Sequence, residues 1–91
     1  MLWDGELAMY VAYNVMLTGE FKMRSNNSWD DNYGSNCSVT VDDIYPVYMY
    51  PYEDNCYVTP GTYDVYFSLS ESVGRVWVRT PGSDAPVLSS L

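Results

Sequence analysis

The sequence contains no histidine and only four basic residues among its 91. Without an imidazole the commonest general base is missing, and no G-x-S-x-G turn or activated cysteine supplies a nucleophile. The remaining catalytic option is a carboxylate pair flanking a sugar, but a chain this short offers little cleft in which to desolvate one acid. The chain is therefore expected not to be an enzyme and to need no cofactor. Twelve acidic residues against four basic ones give a net charge of −8, a surface that repels phosphate backbones and anionic headgroups. Nucleic acid and direct membrane contact are not expected. No apolar run approaches the ~20 residues of a membrane-spanning helix. Met1-Leu2-Trp3-Asp4-Gly5-Glu6 lacks the basic and apolar regions of a signal peptide, so a secretion signal or lipid anchor is expected outside this sequence.

Cysteine is scarce too. Cys37 and Cys56 lack the C-x-x-C spacing of a redox pair and, without histidine, make a poor zinc set. A bridge between them would add roughly 3 kcal/mol in the chain-entropy account; buried thiols are the equal alternative. The acidic pairs Asp30-Asp31 and Asp42-Asp43 do not follow a D-x-D-x-D-G loop, so solvated charge is expected there and no metal.

What is abundant is tyrosine: ten, with three tryptophans and two phenylalanines, make 16% of the chain aromatic. Such rings either fill pleated strands or present a face and a polar tip to a ligand. Leu7, Met9, Val11, Tyr13, Val15 and Leu17 share one face if residues 7–17 are extended, although a helix is also compatible with that segment. Thr18-Gly19 favours a hairpin into Glu20-Phe21-Lys22-Met23-Arg24, with Phe21 and Met23 facing in. Ser25 to Ser38 reads as a long polar loop carrying Trp29 and Tyr33. Val39 to Val41 is a short strand candidate before a turn at Asp42-Asp43. Ile44 to Tyr52 contains Pro46 and Pro51 and is expected at a sheet edge or in an irregular excursion. Asn55 to Thr59 is a short strand. Thr62 to Leu69 places Tyr63, Val65, Phe67 and Leu69 inward, and on the final strand Val76 and Val78 face the core while Trp77 points out between Arg75 and Arg79. Short strands and turn signals without a clear helix pattern predict an all-β, immunoglobulin-like antiparallel sandwich over residues 1–80, with 81–91 a flexible tail.

The order Gly19-Glu20-Phe21-Lys22-Met23-Arg24, Trp29, Asn32-Tyr33-Gly34, Asn55 and Pro60-Gly61-Thr62-Tyr63-Asp64-Val65 resembles the carbohydrate-binding domains of SusE/SusF-type outer-membrane starch-binding lipoproteins. These pieces span about half the chain. The resemblance implies a non-catalytic sandwich that binds α-glucan at the bacterial outer surface or in the periplasm. Two departures stand out. The chain opens almost directly at the hairpin, as an N-terminally incomplete domain would, and the stretch Tyr45 to Tyr57 is longer than the family connection. An absent edge strand would favour a strand-swapped or edge-paired homodimer.

Neutral sugars are held by rings stacked on C–H faces and by hydrogen bonds to their hydroxyls. Trp29 and Tyr33 are the expected stacking residues, with Lys22 and Asn32 as hydrogen-bonding partners and Trp77 as a second stacking candidate. Against this, Trp29 and Tyr33 equally suit folding the loop onto the sheet, and Trp77 suits cross-strand packing. Tyr48, Tyr50 and Tyr52 share one face if extended, with Tyr45 nearby; they read as a stacking platform or as strand packing. The rival function is a structural or protein-interaction module without a sugar site.

Overall fold

The computed structural model describes residues 1–24, 32–35, 38–51, 53–70 and 73–87. Its centre is the antiparallel pair β8 (Gly61–Ser70) and β9 (Val73–Arg79), joined by only two residues so that Ser70 pairs with Val73. These segments are rich in the β-branched and aromatic residues that suit a pleated, half-buried surface. Seven strands form the main sheet in the order β1-β2-β8-β9-β6-β5-β4, with β1 Leu2–Asp4, β2 Met9–Leu17, β4 Met23–Arg24, β5 Asn32–Gly34 and β6 Val47–Pro51. A second, small layer pairs β3 (Glu20–Phe21) with β7 (Cys56–Tyr57), extended by a bridge from Ser38 to Tyr57. No helix occurs among the described residues. The all-β sandwich expected from the sequence is the architecture observed.

The inner face of the main sheet contributes Tyr63, Val65, Phe67, Val76, Val78 and Met49 to a core closed by Val39, Cys56 and Val58, with Phe21 at its margin. Gly34 lies so close to the backbone of residues 53–54 that a side chain there would collide with the Asp54 carbonyl. The Asn-Tyr-Gly segment is thus a place where two backbones pass in contact. Cys56 is fully buried in this core; Cys37, the other cysteine, lies outside the described residues, as do Asp30 and Asp31.

Four expectations are corrected. The Thr18-Gly19 corner is not a hairpin: β2 pairs with β8, whereas β3 pairs with β7, so the corner carries the chain from one layer to the other. Lys22 is the next crossing point, between β3 in the small layer and β4 in the main sheet. Second, residues 7–17 do not present one face. The register of β2 against β8 shifts between Ala12 and Val15, and Asn14 has a left-handed φ of 55°. That one-residue bulge inverts the alternation. Val15 and Leu17 join the inner core, while Met9 and Val11 join a cluster with Tyr66 and Trp77 on the outer face. Third, β6 is not at an edge; it lies between β9 and β5. Pro46 precedes the strand and Pro51 ends it, so neither interrupts the ladder to β9, which spans Val47 to Met49.

Fourth, residues 81–87 do not behave as a tail. Arg79 Nη1 donates to the Asp84 carbonyl (3.1 Å), Gly82 N donates to Asp64 Oδ2 (3.0 Å), Ala85 packs against the outer cluster, and Pro86 is buried. Residues 81–87 are thus held against the outer face of the sheet.

Candidate functional site

Alternation along β8 and β9 sends Asp64, Tyr66 and Ser68, and Arg75, Trp77 and Arg79, to the outer face. In one half of that face they are covered. Trp77 is 2% exposed, and its Nε1 donates to the Ile44 carbonyl at 3.2 Å. The indole does face away from the inner core, as expected from the sequence, but it is not open for stacking: chain around Ile44 and Ala85 lies over it. Tyr66 is buried beside it and meets Tyr13 edge-to-face at 6.5 Å. Burial pushes the Tyr66 hydroxyl above the usual tyrosine range, with Tyr13 and Asp64 adding to the shift.

Asp64 is a buried carboxylate at a position expected to face solvent. Its Oδ1 accepts the Asn14 N–H of the bulge (2.9 Å) and its Oδ2 accepts the Gly82 N–H. One carboxylate thus holds both the β2 bulge and the C-terminal segment against the sheet. Asp42 performs a similar task at the surface. Adopting a left-handed φ of 64°, it accepts Thr80 N (2.8 Å) and Thr80 Oγ1 (2.6 Å). These two bonds hold its carboxyl below the usual carboxylate range, and the Arg79 charge adds to the effect. Asp43 accepts the Tyr45 N–H at 3.1 Å. Both carboxylates of this acidic pair are engaged within the chain, Asp42 in a long-range tie to Thr80 and Asp43 in the local turn.

The other half of the outer face is open. Tyr48 and Tyr50 lie two residues apart on β6, hence on one face about 7 Å apart along the strand, and are 49% and 46% exposed. Tyr48 pairs across the ladder with Arg75, whose Nη2 donates to Ser68 Oγ at 3.2 Å. Two open phenol rings therefore lie along one strand, the first of them opposite a guanidinium that is held by a buried serine hydroxyl. Tyr45 is exposed in the preceding turn, and Tyr52 lies outside the described residues.

The residues expected to bind sugar fare differently. Trp29 lies outside the described residues, and so does the side chain of Asn32, whose backbone pairs with Arg24. Tyr33 packs on the inner core, its ring 5.9 Å from that of Phe67 at a tilted angle, so that ring serves the loop-folding role. Lys22 is half-buried and lines an apolar cleft of about 140 Å³ with Ala12, Val15, Leu17, Phe21 and Met23. Trp77 and Tyr33 contribute to opposite sides of the main sheet, the outer and inner clusters respectively, and form no common site. The open tyrosine pair was visible in the sequence as a same-face set; its exposure was not.

No family model matches this chain, and neither a curated protein nor a solved structure is found to be similar to it.

Proposed function

We propose that this chain is a non-catalytic carbohydrate-binding module for a neutral polysaccharide of the α-glucan class, serving glycan uptake at a bacterial outer surface or in the periplasm. The observation that carries the binding role is the open half of the outer face, where Tyr48 and Tyr50 are exposed on one side of β6 and Tyr48 pairs across the ladder with Arg75. Phenol rings spaced along a strand stack on successive sugar faces, and the phenol hydroxyls and the guanidinium bond to sugar hydroxyl groups. The α-glucan class and the location rest on the resemblance of the segments 19–24, 32–34 and 60–65 to starch-binding lipoprotein domains.

Titration with maltoheptaose tests the proposal. Tyr48→Ala and Tyr50→Ala are expected each to weaken binding about tenfold, or ~1.4 kcal/mol, without lowering the unfolding midpoint. Because the ligand is uncharged, affinity should change little between low and high salt. Absence of binding at millimolar ligand by folded protein would remove the proposal.

A second reading, a structural or protein-interaction module, draws on a specific observation: Tyr33 and Trp77, two of the expected stacking residues, are both used in packing. On that reading the Tyr48 and Tyr50 substitutions leave sugar titrations flat and instead release a protein partner.

A further inference from the structure

We propose that the apolar cleft on the inner face, between β2 and β3, is a binding site for a small monocarboxylate that carries a single ring or a short alkyl chain. Val47 and Met49 of β6 belong to this inner side, so Tyr48 and Tyr50 lie on the opposite face of the main sheet and the cleft stands apart from the sugar reading.

The route of the chain creates the cleft. Ala12 and Val15 both turn inward because the bulge between them inverts the alternation, and they pair with Val65 and Tyr63 of the inner core. Leu17 follows on the same side, after which the chain crosses to the small layer at Phe21 and returns to the main sheet beyond Lys22. With two residues in each of its strands, that layer leaves part of the inner face uncovered. Ala12, Val15, Leu17, Phe21 and Val65 line the resulting space of about 140 Å³, and Ala12 brings only a methyl group to it. The way in is from the β1 side. Trp3 pairs with Tyr10 and Tyr10 with Phe67, so both rings continue the inner face, and both are exposed.

Size and charge define the occupant. An apolar cavity of ~150 Å³ holds one benzene molecule, so a six-membered ring or a chain of about six carbons fills this cleft. Among the described residues that line it, Lys22 has the only charged side chain. In a chain with twelve acidic residues and four basic ones that is a local reversal of sign, and it favours a ligand whose one charge is negative. Lys22 also takes part in an interaction within the chain; its ammonium carries three donors, so a carboxylate oxygen can bond beside that contact. Burial of the ring supplies the affinity, and the ammonium selects the acid over its neutral analogue.

The test is an NMR titration that follows the methyl signals of Ala12, Val15, Leu17 and Val65 with sodium benzoate and, separately, with benzyl alcohol. Benzoate should shift these signals saturably with millimolar affinity, since a ligand this small buries few atoms. Benzyl alcohol should bind about fivefold more weakly. Lys22→Gln should lower benzoate affinity to that of benzyl alcohol and leave benzyl alcohol unchanged. Ala12→Leu places a larger side chain in the cleft and should abolish the shifts with both probes. Absence of saturable shifts in the unaltered, folded protein overturns the proposal without recourse to any variant. Equal affinity for the two probes overturns it as well, as does an equal loss for both in Lys22→Gln, because the carboxylate is then not recognised. Binding that persists in a folded Ala12→Leu variant places the ligand elsewhere and has the same consequence.

Discussion

The two halves of the outer sheet face use similar residue types to opposite ends. On β8 and β9, Tyr66 and Trp77 are sealed beneath residues 42–46 and 80–87; on β6, Tyr48 and Tyr50 stand open. An aromatic side chain at an outward strand position is thus a core residue or a surface residue according to what the rest of the chain lays over it. The covered half is fastened by named bonds, namely Asp64 to Asn14 and Gly82, Asp42 to Thr80, Arg79 to Asp84, and Trp77 to Ile44. For the open half the corresponding ties are Arg75 to Ser68 and the ladder itself.

If that contrast is right, the largest effect belongs to Trp77. Trp77→Ala should destabilise the protein by about 3–5 kcal/mol, as removal of a buried large aromatic does, measured by denaturant unfolding. A change below about 1 kcal/mol would mean that the cover over the indole contributes little. Next comes Asp64→Ala, which strands two backbone N–H groups and should cost about 1–3 kcal/mol. Amide exchange of Asn14 and Gly82 should quicken in that variant, while the inner-core amides of Val65 and Val78 should change less.

The pH dependence divides the halves further. Because the Asp42 carboxyl is lowered in the folded state, its contribution is fully present above the ordinary carboxylate value near ~4. It is lost as pH falls through the folded value. Asp42→Asn should flatten the acid limb of the stability curve only slightly, since the group is exposed. Tyr66 works in the opposite direction. Its raised folded value keeps stability intact below ~10 and erodes it as pH rises beyond. A Tyr66→Phe variant should soften that alkaline loss. The smallest stability effect is expected on the open half: Tyr48→Ala should shift stability by no more than ~0.5 kcal/mol. A larger loss would show that β6 tyrosines pack as Trp77 does, and the contrast between the halves would disappear.

Much of the inner core was legible because it depends on local alternation. Tyr63, Val65, Phe67, Val76 and Val78 are placed by period two alone, and all are buried. Leu69, expected with them, is more than a third exposed at the end of β8. Reading β2 as one face failed at Asn14, since nothing in the apolar pattern announces an inserted residue. Asp64, whose carboxylate accommodates that insertion, looked like a surface acid. The proline argument against β6 failed for a different reason: prolines at a strand's two ends leave the donors between them intact. Of the expected site, Tyr33 was legible as an aromatic in a polar segment, yet its ring is spent on Phe67.

The amino-acid sequence by itself determined that this chain is all-β, that it is acidic, and which side chains share a face within an uninterrupted strand, because pleating makes those relations local. Only the tertiary structure decided which faces are covered. Trp77 is buried and Tyr48 is open because segments distant along the chain, fixed by contacts such as Asp42 with Thr80 and Ile44 with Trp77, lie over one and not the other. Burial is a property of what arrives from elsewhere in the chain, and no local pattern encodes it.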